Sequence, residues 1–250
     1  SMTMSERVVC IVHGATSIDV EVAGGVADSV QTVADSFSSG SAHPQSPIEL
    51  HAAFIQHCVD SGNSDAVLAV FFAFCRTFDT VTRDIHVVAR AQGLDEDAAR
   101  RVLKGYFSAW PLVNSSSEPS LTWPVAPSPA LFSSESVGLM AMFGGQRGTS
   151  SYLDEAVWLL DVYRPLLLDF VTRMSAFLQR ESTDKRVASM YPKGFDVVRW
   201  LTVTDAAPSE AYLLSSPICM PLFGLIQLMH AMVLYKTLGV SPGDLVKRFK

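Results

Sequence analysis

Two hundred and fifty residues allow one large domain or two small ones, with chain enough to bury a substantial core. With 48% hydrophobic and 18% charged residues, against about 25% charged in an average domain, the chain is too apolar to be disordered throughout and is short of surface charge. A net charge of −6 argues against non-specific nucleic-acid binding, which needs a basic face to displace counterions.

The N-terminal Ser1-Met2-Thr3-Met4 has neither the basic nor the apolar region of a signal peptide, so a cytoplasmic location is expected. Ser1 ahead of Met2 has the form of a tag-cleavage scar, from which a chosen fragment is expected. Arg7 to Gly14 is short, β-branched and stopped by glycine, and reads as a buried strand. Gly24-Gly25 then opens a helix with Val26, Val30, Val33 and Phe37 on one stripe. After a Ser/Gly/Pro/His loop, Pro47 stands where a first helical turn tolerates proline, and Leu50, Phe54, Ile55 and Cys58 follow at helical spacing.

Ala66 to Phe78 is apolar almost all round and is expected deep in a helical packing, its phenylalanines serving as core. Asp84 to Gln92 is a short helix stopped by Gly93, with His86 a local structural residue. Asp95 is the N-cap of a helix over Glu96 to Trp110 that buries Val102, Leu103, Tyr106, Phe107 and Trp110. The segment 113–134, with its polar run Asn114 to Ser117 and its Trp123-Pro124, Pro127 and Pro129, reads as a linker. It separates a strand-and-helix region, 1–112, from a second domain, 135–250.

Val137 to Phe143 is a continuous apolar run of the kind a central sheet strand shows, ending in Gly144-Gly145-Gln146-Arg147-Gly148. Helices are expected over Tyr152 to Tyr163, Pro165 to Arg180 and Phe195 to Leu201, with an exposed charged stretch at Glu181 to Arg186. From Pro217 to Tyr235 no residue carries a full charge, close to the ~20 residues a bilayer needs. Pro217, Pro221, Gln227 and His230 argue instead for a central helix, Pro221 to Leu238, buried on most sides of a soluble protein. Gly239 ends it, and Ser241-Pro242 restarts a last turn.

Little here spells a site outright. Cys10, Cys58, Cys75 and Cys219 form no C-x-x-C pair and are expected to be buried free thiols. His51 and His57 are six residues apart on one helix and make poor metal ligands, and no metal site is expected. His230 reads as a hydrogen-bonded core histidine. A strand ending in Gly-Gly-Gln-x-Gly can turn backbone N–H groups toward an oxyanion, although a plain strand-to-helix turn has the same spelling. It lacks both nucleotide-loop spacings. Gly239-Val240-Ser241-Pro242-Gly243 matches the nucleophile-elbow spelling, but a helix precedes it and Pro242 has no N–H to give, so Ser241 is assigned to capping.

Phe143 to Gln146, Tyr152 to Glu155, Gly194 to Leu201, Tyr212 to Leu228, His230 and Leu238 to Leu245 follow one another in an order that resembles the β subunit of fungal type I fatty acid synthase, at its N-terminal region and the start of its acetyltransferase domain. The opening strand with His13-Gly14, Pro47 to Leu50 and Asp84-Ile85-His86 fit the same family more loosely, and a related β subunit feeding a polyketide pathway would look much the same. The resemblance implies an α+β, predominantly helical chain: an N-terminal strand and helical docking region, then the first βα part of an α/β acyltransferase domain.

It also implies loading of acetyl from acetyl-CoA onto a serine and then onto carrier-protein pantetheine. Gln146 would give one backbone oxyanion N–H, and Gly144, Gly145 and Arg147 would belong to the same acyl/CoA loop. Arg147 replaces a glycine more usual there, which puts the freedom of that turn in question. The family's Gly-His-Ser-x-Gly elbow occurs nowhere in these residues, so the implied catalytic residues of this chain are none and inactivity alone is expected. The implied partners are the remainder of the β subunit, the α subunit and the acyl carrier protein, with no nucleic acid, no membrane and no cofactor held by the chain itself. Two other readings stand beside it: a non-catalytic scaffold or interaction module of a megasynthase, and an independent small-ligand binder using the Gln146 turn.

Overall fold

The computed structural model describes residues 6–37, 44–115 and 151–247. The chain divides into two compact units, Ser1–Pro127 and Ser128–Lys250. The first is α+β, and among the described residues the second is entirely helical.

In the first unit, β1 (Glu6–His13) pairs antiparallel with β2 (Thr16–Ala23) as a hairpin, with His13 opposite Thr16. Gly14 turns it with φ +59, the positive angle that a two-residue hairpin loop with glycine first requires. The hairpin corrects the expectation of one buried strand. Val9, Ile11, Ile18, Val20 and Val22 face the core, while Val8 and Val12 are 60% and 62% exposed and Cys10 is exposed beside them. Helices cover only one face of this two-stranded sheet, so side-chain alternation leaves half of β1 in water.

Helix α1 (Gly24–Asp35) and α3 (Ser64–Thr77) pack on the hairpin and on each other, and Asn63 Nδ2 ties them by donating to Ser29 Oγ at 2.7 Å. Helix α2 (Pro47–Asp60) lies at the centre of the unit against α3 and α5 (Glu96–Ser108). Its N-terminus is held by a capping pair: Ser46 Oγ accepts from Glu49 N–H, and Glu49 Oε2 accepts from Ser46 Oγ at 3.0 Å and from Gln45 N–H at 3.2 Å. Asn63, Asp84 and Asp95 cap α3, α4 (Ile85–Ala91) and α5 through their side chains.

The α2–α5 contact depends on the absence of a side chain. A Cβ on Gly105 would collide with the Ala52 carbonyl oxygen and lie 2.7 Å from its carbon, so the helices approach to backbone contact. Trp110 does not complete the buried face of α5 but opens a separate helix, α6 (Trp110–Ser115). Val113, read above as the first linker residue, lies on α6 and is 1% exposed. The rest of the expected linker, and the expected strand Val137 to Phe143, lie outside the described residues.

The second unit contains α7 (Ser151–Val162), α8 (Arg164–Ser182), α9 (Val197–Thr202), α10 (Glu210–Leu213), α11 (Ser216–Leu238) and α12 (Pro242–Val246). Helix α11 starts five residues earlier than expected, with Pro217 in its first turn and Pro221 inside it. It packs on α7 and α8 through Ile218, Leu222, Leu225, Ile226 and Met229. It is long and apolar enough to cross a membrane by length and composition, yet only a third of its most apolar stretch is buried. The expectation of burial on most sides is therefore corrected: Met220, Leu228 and Leu234 are 56%, 46% and 41% exposed. Among the described residues, the helices packed on it cover only one side of a helix that is apolar all round.

Candidate functional site

The loop candidates Gly144, Gly145, Gln146 and Arg147 lie outside the described residues, as do their flanking Phe143 and Gly148. The description resumes on α7 at Ser151, and the remaining motif residues can be followed from there. Tyr152 sets its ring edge-on against Phe223 of α11 at 5.7 Å. Its hydroxyl is buried and has no hydrogen-bond partner among the described residues.

The stretch Gly194 to Leu201 folds into a brace. Gly194 takes φ +69, which turns the chain back so that Phe195 is buried between Tyr191 at 6.0 Å and Trp200 at 5.3 Å, both stacked on it. Tyr212 Oη donates to the Gly194 carbonyl at 2.7 Å, and its ring meets Trp200 edge-on. Lys193 lies over the outer face of that ring at 5.9 Å. Asp196 Oδ1 caps α9 by accepting from Arg199 N–H at 3.1 Å. Buried Ser175 of α8 accepts from Val198 N–H at 3.1 Å and donates to the same Asp196 oxygen at 3.4 Å. The Gly194 carbonyl, the Asp196 carboxylate and the Val198 N–H of the motif are used in holding α8, α9 and α10 together.

His230 is not in the core. Its side chain is 44% exposed, and Nε2 lies 2.7 Å from Oε1 of Glu155 on α7, itself 46% exposed. The apolar run around it predicts burial, but His230 faces the exposed side of α11, where a hydrogen bond with Glu155 of α7 replaces core packing. Six residues on, Lys236 Nζ donates to the Leu166 carbonyl at 2.6 Å, and partial burial lowers its pKa. Glu155 stands in the sequence only as the end of the Tyr152 to Glu155 motif and Ser175 carries no sequence signal, because each finds its partner 75 or 23 residues away and no local pattern marks the pairing.

Ser241 stands between Leu238, which ends α11, and Pro242, which begins α12, with Gly239 at φ +63. No strand leads into it, so the elbow geometry is absent at this serine. Burial pushes the Cys58 and Cys75 thiols up to about 12, which leaves them protonated and unreactive. Cys219 is buried as well, whereas Cys10, expected inside, is exposed, and its hydrogen bond with Asp19 holds its thiol above the ordinary value.

His51 is 1% exposed, with Nε2 3.1 Å from the Val70 carbonyl and its ring edge-on to Phe74 and Phe78. A carbonyl only accepts, so Nε2 carries the proton and donates. Burial lowers the pKa of His51 to about 4, against the opposing pull of that bond. His57 pairs with Ser36 Oγ at 3.0 Å, and His86 Nδ1 with Asp84 Oδ1 at 2.8 Å. Burial opposes ionisation of Asp84, but hydrogen bonds from His86 keep its pKa below the ordinary value. Among the described residues no three His, Cys, Asp or Glu side chains gather as a metal site would require. What these described residues build is a braced scaffold.

No family model matches the chain. Individual proteins do. It is 34% identical over 176 residues to the fatty acid synthase subunit beta of Schizosaccharomyces pombe, covering 70% of this chain and 8% of that protein. It is 31% identical over 221 residues to that of Gibberella zeae, covering 83% and 10%. With that of Saccharomyces cerevisiae it shares 37% over 110 residues, covering 43% and 5%. The chain thus spans a tenth or less of the length of these curated relatives.

Proposed function

Because this chain belongs to the fungal fatty acid synthase β-subunit family, we propose that it supplies that subunit's N-terminal helical docking region and the opening of its acyl-loading domain. The observation that carries this reading is the similarity to the Gibberella zeae subunit over 221 residues, 83% of the chain, which is too long a match to rest on either unit alone. In this reading residues 135–250 belong to an acetyltransferase that takes acetyl from acetyl-CoA and passes it to the pantetheine of an acyl carrier protein, in the cytoplasm. The Gln146 backbone N–H would face the developing oxyanion, with Gly144, Gly145 and Arg147 shaping the loop around it.

These 250 residues contain no Gly-His-Ser-x-Gly elbow, and Ser241 cannot replace it. An oxyanion donor accelerates by about 10²–10³ only where a nucleophile attacks, so this chain alone forms no acyl-enzyme. Incubation with radiolabelled acetyl-CoA, followed by denaturing electrophoresis, tests the reading. No label is expected on this chain, and label is expected on a chain extended C-terminally through the elbow. Labelling of the 250 residues themselves would overturn it.

A second reading, a non-catalytic interaction module of a megasynthase, draws on the exposed apolar side of α11. It expects the chain to be pulled down by the remaining synthase polypeptides. A monodisperse monomer with no affinity for them would count against it.

A further inference from the structure

We draw no further inference here: the strongest candidate, the exposed apolar side of α11 carrying Leu228 and Leu234, carries nothing because nothing in the structure shows what covers it.

Discussion

The two units solve the same packing problem by different means. The first has seven Lys and Arg against fourteen Asp and Glu, and the second twelve against eleven. In the first, four helices start on a side-chain cap, and Glu49 and His51 are buried with hydrogen-bond partners at the centre of the unit. In the second, α8, α10 and α11 have no side-chain cap, and the long apolar α11 leaves one side open. The first unit encloses its own core and fixes it with buried polar groups. The second relies on the aromatic brace and on half-exposed ties such as His230–Glu155. Burial is what separates them: a polar contact inside a low-dielectric core costs far more to break than the same contact in water.

The sharpest way to break this contrast is at two glycines. Gly105→Ala drives a methyl group into the Ala52 backbone, which cannot rotate away, and should destabilise the first unit by about 3 kcal/mol. Gly224→Ala on α11 meets nothing within 4 Å and should instead gain up to about 1 kcal/mol from helix propensity. Urea unfolding gives the sign of each change, and hydrogen exchange assigns it to a unit. Equal effects at both sites would remove the distinction.

Acid comes next. His51 is neutral in the folded protein down to about pH 4, whereas in the unfolded chain it takes a proton near the ordinary histidine value of 6.5. The unfolded state therefore binds more protons between those values. The stability this group contributes is complete above about pH 6.5 and is lost as pH falls through 4, by about 3 kcal/mol. The first unit should weaken over that window, and His51→Gln should flatten its pH profile. An unchanged profile in the variant would show that His51 does not control the response.

Smaller effects separate two side-chain contacts, the Arg101–Glu49 ion pair of the first unit, with Arg101 Nη2 2.8 Å from Glu49 Oε1, and the His230–Glu155 hydrogen bond of the second. Arg101→Ala leaves the Glu49 carboxylate 4% exposed and without its cation, and should cost about 2–3 kcal/mol. His230→Ala breaks a pair exposed on both sides and should cost less than about 1 kcal/mol. Double-mutant cycles with Glu49 and Glu155 would measure each coupling directly.

Much of this was legible in the residues. Pro47, Asp95, Gly93 and Gly239 marked helix ends that the structure keeps, because capping is a matter of neighbours within one turn. The second strand is legible too, since Ile18, Val20 and Val22 alternate with Ser17, Asp19 and Glu21, but this half-polar alternation is a weaker signal than the continuous apolar run before it. The site loop Gly144 to Arg147 is legible only in the sequence, because it lies outside the described residues. Cys10 and His230 lie outside the core, against the apolar runs around them, for one shared reason. Apolar neighbours in sequence do not reveal how many sides of an element are covered.

By itself, the sequence determined where most elements lie, how their ends are capped and which family the motif order belongs to. All of these depend on residues within a few positions of one another or on their order along the chain. Only the tertiary structure decided that β1 is half exposed, that Gly105 brings α2 and α5 into backbone contact, that Glu155 holds His230, and that α11 is covered on one side. Each of these depends on a surface supplied by residues distant in sequence, and local periodicity carries no information about which surface arrives.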